Sequence, residues 1–253
     1  MDVESYLERI AVTRPTGTSA AELAVLHDAH ARTVPFEDYD IHLGVPLSLD
    51  PADLFDKVVT RHRGGFCYEL NGLFAALLRE LGFTVTLHSA FDVAEDGTHG
   101  AAFEHLRLVV QTDDGPYLAD VGNGAGWTVP VPMVPGGHGD RRVHHDGDVW
   151  WTTRRTREGH LEREWAWDAE PRELADFLPR CRYQEQDPAS HFVARRLAAL
   201  AVDGGRISLV NGVFKETVDG RRTERAVDPA TERALLVTRF GLDLGGRAWK
   251  TGP

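Results

Sequence analysis

The spacing of apolar residues changes near residue 83, and this change constrains the possible fold more than any other feature. Before it, apolar side chains recur at the spacing of helices. After it, through the middle third of the chain, they follow the pattern of short strands bounded by turns. Because a run of helices precedes a run of strands, the sequence is typical of an α+β protein.

The first third of the chain is predicted to be helical. Ser19 and Glu22 form a capping box at the start of one helix. Another helix begins at Cys67, and its apolar face is formed by Leu70, Phe74, Leu77, Leu78 and Leu81. Residues 1–83 are therefore predicted to form a helical bundle that carries Cys67.

The middle third is predicted to be an antiparallel sheet that curls into a small β-barrel. Runs rich in strand-forming residues occur at 84–93, 106–111 and 117–121. A hairpin turn signal, Asp113-Asp114-Gly115-Pro116, separates the last two runs. The barrel is predicted to span residues 84–190 and to carry His105 and Asp120.

The last third mixes helix and strand signals. Asn211-Gly212 and Asp219-Gly220 are hairpin turn signals, and Asp228-Pro229 is typical of a helix start. Residues 191–253 are therefore predicted to form an α/β lid. The stretch 130–148 is rich in Gly, Pro, His and Asp, and it is predicted to be the longest irregular segment.

Composition and charge exclude several classes of protein. With 42% hydrophobic residues, a chain of 253 residues can build a sizeable core. The formal net charge is −11 without a basic tract, so nucleic acid and anionic membranes are not expected as partners. The acidic start lacks a signal-peptide pattern, and no apolar run approaches the roughly 20 residues of a membrane span. Only Cys67 and Cys181 are cysteines, which favours a reducing, cytoplasmic location without disulfides.

Cys67 lies at a position that suits a nucleophile. It opens a helix, and Gly64 and Gly65 before it allow a sharp turn and the close approach of a ligand. The N–H groups of the helix start should lower the pKa of the thiol from its free value of about 8.5. The alternative is a buried structural cysteine, which the nearby polar Glu69 and Asn71 make less favoured.

A cysteine nucleophile needs a base and a group that orients the base. If residues 112–115 form the turn, Gln111 pairs with Pro116, and His105 becomes the diagonal neighbour of Asp120 on one face of the sheet. A turn one residue longer or shorter would place the two side chains on opposite faces. On this pattern alone, a His and an Asp without a catalytic role remain nearly as probable as a dyad.

Three groups of motifs resemble the arylamine N-acetyltransferase family. The opening segments Tyr6-Leu7-Glu8-Arg9-Ile10 and Val34-Pro35-Phe36-Glu37-Asp38 are similar to the start of that family. The segment from Arg63 to Asn71, RGGFCYELN, resembles its nucleophile motif. Glu104-His105-Leu106 and Leu118-Ala119-Asp120-Val121-Gly122 resemble the segments that carry its other two catalytic residues.

The resemblance implies a fold and a reaction. The fold would be a helical bundle, a β-barrel and an α/β lid around a triad core like that of cysteine proteases. The reaction would be ping-pong transfer of an acetyl group from acetyl-CoA to an arylamine, hydrazine or related amine. Cys67 would be the nucleophile, His105 would hold its proton, and Asp120 would fix the tautomer of His105. The expected partners are a small-molecule amine and an acyl-CoA, without a metal.

The resemblance also implies which residues surround the reacting sulfur. At two positions this sequence departs from the pattern of the family. Gly122, Asn123 and Gly124 would contact the coenzyme. The acceptor pocket would be formed by Phe36, Phe66, Asn123 and Phe192. Asn123 stands where the family usually has a phenylalanine, and Glu104 precedes the histidine where a small or hydroxyl residue is common. A carboxylate there would disfavour a phosphate-rich donor unless it faces away.

Other functions remain open on the sequence. The amide synthase branch of the same family uses a larger acyl thioester that can be bound to an acyl carrier protein. A cysteine hydrolase would use the same three residues but release a free acid. A metal site at His138, His144 and His145, with Asp140, Asp146 and Asp148 nearby, lacks zinc spacing, which favours a solvated loop. Arg63 and Glu69 are either an ion pair that braces the nucleophile loop or two solvated residues.

Overall fold

In the computed structural model, which describes residues 1–93, 97–156 and 159–249, a helical region precedes a large and then a small antiparallel sheet. The helices are α1 (Val3–Arg9), α2 (Ala20–Thr33), α3 (Tyr39–Leu43), α4 (Pro51–Phe55), α5 (Cys67–Glu80), α6 (Leu178–Gln186), α7 (His191–Ala194) and α8 (Pro229–Phe240). A π-helical turn, Asp56–Thr60, extends α4, and a 3-10 turn, Leu174–Phe177, precedes α6. None of the helices in the described residues is long and apolar enough to cross a bilayer.

The strands belong to two sheets. They are β1 (Phe36–Glu37), β2 (Thr84–Phe91), β3 (His105–Thr112), β4 (Gly115–Ala119), β5 (Val131–Pro132), β6 (Gly136–His138), β7 (Arg141–Asp146), β8 (Val149–Arg155), β9 (Leu161–Arg172), β10 (Leu197–Val202), β11 (Gly205–Val210), β12 (Val213–Val218) and β13 (Arg221–Ala226). The larger sheet has the order β5-β4-β3-β2-β9-β8-β7-β6 and forms a nearly closed barrel. The smaller has the order β1-β10-β11-β12-β13. The predicted α+β class, with helices before a barrel, is confirmed.

The proposed division into residues 1–83, 84–190 and 191–253 stays a prediction. The strand β1 lies in the helical region of the sequence but pairs with β10 in the C-terminal sheet. Residues 94–96, 157–158 and 250–253, which fall within the predicted barrel and lid, lie outside the described residues.

Local signals in the sequence position several elements correctly. The Ser19 hydroxyl accepts the Glu22 N–H at 3.3 Å, and the Glu22 carboxylate accepts the Ser19 N–H at 3.1 Å, so the capping box is formed. Asn211 and Gly212 adopt positive φ angles of 46° and 75° at the predicted hairpin turn between β11 and β12. These short-range interactions define the ends of elements before tertiary packing is considered.

The prediction of an irregular stretch at residues 130–148 is wrong. Most of it forms β5, β6 and β7, which extend the barrel. The turn-forming residues are real signals, but they separate strands of only 2, 3 and 6 residues. Rings in β7 also stack on the next strand, with His144 on Trp151 at 5.1 Å and His145 on Trp150 at 4.0 Å.

The hairpin between β3 and β4 has the predicted register. Gln111 pairs with Pro116, and Thr112 pairs with Gly115, so the turn closes where the sequence suggested. The hydroxyl of Thr112 donates to the carbonyl of Gly115 at 2.8 Å and accepts the N–H of Asp114 at 3.1 Å. These bonds hold the turn length on which the meeting of His105 and Asp120 depends.

A buried ionic cluster supports the loop before Cys67. Lys57 Nζ lies 2.8 Å from carboxylate oxygens of both Asp40 and Glu69, while Arg63 lies 2.8 Å from Glu37 and Asp40. The second Glu69 oxygen accepts the Phe66 N–H at 3.1 Å. The suggested Arg63–Glu69 pair is therefore wrong, because each residue has another buried partner.

The two glycines of this loop are required by close backbone approach. A Cβ atom at Gly64 would lie 2.0 Å from the carbonyl oxygen of Pro35, and one at Gly65 would lie 2.8 Å from the Glu69 carboxylate. The Gly65 carbonyl accepts the Glu37 N–H at 2.8 Å. The loop that leads into Cys67 is thus held against β1.

We expect the Lys57→Met variant to lose about 3 kcal/mol of unfolding free energy, because two buried carboxylates then lack their shared cation. Urea denaturation followed by circular dichroism measures this loss. The matched control is Arg61→Met, which removes a 2.7 Å pair with Asp56 at the surface and should cost less than about 1 kcal/mol. Equal losses in the two variants would show that the buried cluster does not stabilise the loop.

Candidate active site

Cys67 is the first residue of α5, and it is 2% exposed. Burial, followed by the negative charge of Asp120, raises the pKa of its thiol well above that of a free thiol. Interaction with the backbone N–H groups of Tyr68, at the helix start, and of Leu106 lowers the pKa, but by less. The expectation of a lowered thiol pKa is therefore wrong for Cys67 on its own, and a nearby base would have to take the proton.

His105 begins β3 and is bonded to the carboxylate of Asp120. Its Nε2 lies 2.7 Å from Asp120 Oδ2, and both side chains are almost fully buried. The indole of Trp165 stacks on the imidazole at 5.1 Å between ring centres, with an angle of 14°. With Nε2 held by Asp120, Nδ1 is the ring nitrogen that remains for proton exchange.

Asp120 stays ionised although its side chain has no solvent exposure. Burial alone would raise its pKa, but His105, Arg107 and a hydrogen bond from Asn71 lower it to about 2. Its backbone N–H donates to His27 Nε2 at 3.1 Å. The carboxylate is therefore a fixed negative charge beside the imidazole across the ordinary pH range.

Asn71 links the helix of Cys67 to the other two residues. Its Nδ2 donates to the Leu106 carbonyl at 2.7 Å and to Asp120 Oδ1 at 2.9 Å. Its Oδ1 accepts the Gly122 N–H at 3.1 Å. Gly122 itself packs so closely that an added Cβ would lie 2.8 Å from the Cα of Cys67.

One cavity of about 450 Å³ opens onto both Cys67 and His105. Of the residues predicted for coenzyme and acceptor, five line it: Phe36, Gly122, Asn123, Gly124 and Phe192. Phe66 is not among the described residues that line this cavity. It lies behind the wall, 1% exposed, with its ring 5.3 Å from that of Phe192. The Asn123 Oδ1 accepts the Ala125 N–H at 2.9 Å, so the amide nitrogen is the part left for a ligand.

The cavity also contains residues that the sequence did not single out. Arg180, from α6, pairs with Glu104 at 2.9 Å and stacks on Tyr183 at 4.1 Å. No local signal connects Arg180 with Glu104, because they lie 76 residues apart. Trp165 could have been suspected, since Trp165 and Trp167 alternate along one strand and therefore share a face.

A second cavity of about 430 Å³ adjoins the first and shares Phe36, Gly124, His191 and Phe192 with it. Its lining includes four cations, Arg195, Arg206, Lys215 and Arg222, and the carboxyl group of Asp38. Lys215 and Arg222 both pair with Glu224, at 3.4 and 3.1 Å. Arg206 donates to the Gly124 carbonyl at 3.2 Å, and no carboxylate contacts it among the described residues. Burial, followed by the charges of Arg154 and Arg222, lowers the pKa of Arg206. An anion would therefore be stabilised here.

The histidines considered for a metal site are engaged in other contacts. His144 and His145 stack on tryptophans, and the His138 ring bonds to the Val134 carbonyl at 2.7 Å. Within residues 1–93, 97–156 and 159–249, no three His, Cys, Asp or Glu side chains are grouped so as to hold a metal ion.

Comparison with known proteins connects this geometry to a family. A family model described as N-acetyltransferase matches residues 19–249. An arylamine N-acetyltransferase of Mycolicibacterium smegmatis is 34% identical, and the match covers 98% of this chain and 94% of the relative.

Solved structures agree in fold. The M. smegmatis arylamine N-acetyltransferase superposes with a TM-score of 0.90 at 34% identity, covering 98% of this chain and 95% of its own. The Mycobacterium marinum arylamine N-acetyltransferase, solved in complex with CoA, superposes with a TM-score of 0.89 at 28% identity, covering 98% and 95%. Both the sequence matches and the fold extend over nearly the whole chain, which therefore belongs to the arylamine N-acetyltransferase family of acyltransferases.

Proposed function

We propose that this chain transfers an acetyl group from acetyl-CoA to a small amine through an acetyl-enzyme on Cys67. The observation that carries the proposal is that Cys67 lies in the same cavity as the histidine of the His105–Asp120 pair. Cys67 and His105 both line this cavity, and His105 Nε2 is held by the carboxylate of Asp120 at 2.7 Å. A thiol, a base and a carboxylate in this order are the parts of a nucleophilic acyl-transfer site.

In the first half-reaction, His105 Nδ1 takes the proton of the Cys67 thiol, and the sulfur forms a bond to the carbonyl carbon of the thioester. The tetrahedral intermediate collapses with cleavage of the carbon–sulfur bond to the coenzyme. The leaving thiolate takes the proton back from His105. The positive end of α5 and the Tyr68 N–H lie at the sulfur, where they favour the developing negative charge.

In the second half-reaction, the amine attacks the acetyl carbon of acetyl-Cys67, and His105 Nδ1 takes a proton from the amine nitrogen. The carbon–sulfur bond to Cys67 breaks, and the sulfur leaves as a thiolate that the imidazolium protonates. Asp120 remains ionised throughout, fixes the tautomer of His105 and stabilises its cation. A reducing, cytoplasmic setting would keep the thiol available for this cycle.

The cationic second cavity supports a donor that carries phosphates. Its lining has four cations and one carboxyl group, although the formal net charge of the chain is −11, and Arg206 lacks a carboxylate partner among the described residues. The M. marinum relative, which was solved with CoA, makes this donor the natural choice. In this proposal, residues 1–83 supply Cys67, residues 84–190 supply His105 and Asp120, and residues 191–253 supply cations for the donor.

The position of Glu104 removes one argument for a different donor. Its carboxylate lies in the catalytic cavity, as the sequence left open, but it is paired with Arg180 at 2.9 Å. The pair has no net charge, so Glu104 does not oppose a phosphate-rich donor. A larger acyl thioester or an acyl carrier protein as donor, and hydrolysis instead of transfer, are alternatives that the following measurement separates.

Incubation with acetyl-CoA should increase the intact mass of the protein by one acetyl group, and the Cys67→Ala variant should show no increase. Cys181→Ala is the control, because Cys181 is also buried and burial raises its pKa to about 12. Added amine should discharge the acetyl group as an amide. Acetylation of Cys67→Ala would refute the mechanism. A longer acyl thioester that loads faster would favour the amide synthase alternative, and free acid as the main product would indicate a hydrolase.

Alkylation of Cys67 by iodoacetamide should have a higher pH midpoint in His105→Gln than in the unmodified protein, by about 2 pH units or more. The reason is that burial and Asp120 raise the pKa of the Cys67 thiol, so without an imidazole to take the proton the thiolate forms at higher pH. The rate is followed across pH by mass spectrometry of the Cys67 peptide. The control is His138→Gln, which changes a histidine of β6. A midpoint that His105→Gln does not move would show that the imidazole does not take the thiol proton.

Asn123→Phe should improve the use of a simple aniline over a polar aliphatic amine. An aromatic ring in the cavity wall can stack on the aniline, worth about 1 kcal/mol, or roughly a fivefold change in the ratio of kcat/KM values. Asn123→Ala is the matched control, because it also removes the bond from Asn123 Oδ1 to the Ala125 N–H but adds no ring. If both variants shift the ratio equally, or neither does, position 123 does not select the acceptor through stacking.

A further inference from the structure

Arg107 is a cation enclosed within the barrel. It lies on β3, two residues after His105 and therefore on the same face of the strand, and its side chain has no solvent exposure. Its guanidinium carbon lies 5.0 Å from the ring centre of Trp127 and 5.1 Å from that of Trp167. A charge in such a place is costly unless other charges compensate it.

The polar contacts of Arg107 leave it incompletely bonded. Its Nη1 donates to Thr152 Oγ1 at 3.1 Å and to the Trp165 carbonyl at 3.4 Å. Among the described residues, Nε and Nη2 have no hydrogen-bond partner. Nε nevertheless lies 3.4 Å from Asp120 Oδ2, so the interaction of these two residues is mainly one of charge.

The same carboxylate oxygen is bonded by His105. Asp120 Oδ2 lies 2.7 Å from His105 Nε2 and 3.4 Å from Arg107 Nε, so the two nitrogens are at most about 6 Å apart. We propose that Arg107 is a positioning residue whose permanent charge, acting at Asp120, sets how strongly His105 holds a proton. The inference rests on the proposed function, because the proton in question is the one exchanged with Cys67.

Two effects of the charge follow from this arrangement. Arg107 helps to keep Asp120 ionised in a buried position, so the imidazole always has its acceptor. Arg107 also repels the imidazolium through a low-dielectric interior, so that the proton returns readily to the leaving thiolate. A carboxylate without this second cation would bind the imidazolium more tightly and slow that return.

Other charged and titratable groups around Arg107 contribute to the electrostatic field in this part of the barrel. Glu164 on β9 accepts the Thr152 hydroxyl at 3.0 Å and pairs with Arg141 of β7 at 3.2 Å. His88, opposite Arg107 on β2, is bonded to the Asp168 carbonyl, and burial lowers its pKa. His27 on α2 faces the backbone of Asp120, and burial lowers its pKa to about 4. The charges that act on Arg107 are thus those of Asp120, Glu164 and Arg141.

The test compares two pH profiles in charge-altering variants: the rate of alkylation of Cys67, and kcat/KM for acetyl transfer to an amine. In each profile the limb that rises with pH is compared, and these two rising limbs are the ones named below. In Arg107→Met, the loss of a positive charge should move both limbs to higher pH by roughly one unit or more. Arg107→Lys keeps the charge and should keep both limbs near those of the unmodified protein. In Glu164→Gln, the loss of a negative charge should move both limbs the other way, to lower pH.

The matched control is Arg163→Met, which removes an exposed arginine stacked on Trp151 at 5.0 Å and should leave both limbs unchanged. A uniform loss of rate in Arg107→Met, with both limbs in place, would overturn the proposal and leave Arg107 a packing role only. If Arg107→Met does not fold, a profile of Glu164→Gln that does not move to lower pH overturns it equally. Failure of the unmodified protein to form acetyl-Cys67 would instead refute the proposed function.

Discussion

The amide of Asn71 joins the elements on which the site depends. It lies one helical turn after Cys67, is fully buried, and makes hydrogen bonds to Leu106, Asp120 and Gly122. A side-chain amide suits this place because it donates and accepts at once, and all three of its partners are buried. The Asn71 side chain therefore connects the helix of Cys67 directly to the strand of His105 and to Asp120.

Buried charged residues lie on both sides of Cys67, in addition to the hydrogen bonds of Asn71. Lys57 and Arg63 form ion pairs under the loop that precedes Cys67, and Arg107 lies beside the carboxylate of Asp120 on the barrel side. Removal of one partner from such a pair leaves an uncompensated buried charge, so these residues depend on each other's positions. The hydrophobic core around α5 supplies most of the stabilisation.

Much of the fold and the core of the candidate site could be predicted because their determinants are local. The hairpin turn sets the register of β3 and β4, and that register alone brings His105 to Asp120. The strands of residues 130–148 were missed because they are short and separated by glycine turns that mask their alternation. The pairing of Arg180 with Glu104 depends on how the chain closes over long separations, about which spacing along the sequence says nothing.

The two-residue strand β1 has a consequence for how this protein is made. It pairs with β10 through Phe36 and Ala199, while the next residue, Glu37, donates its N–H to the carbonyl of Gly65 in the loop before Cys67. Phe36 and Ala199 are 163 positions apart, so on the ribosome the loop before Cys67 emerges long before the strand that completes its support. Contacts of such separation form late and slowly. We therefore expect a nascent chain to hold its helices and much of its barrel while the cavity at Cys67 is still open, and to complete that cavity only after β10 has been synthesised.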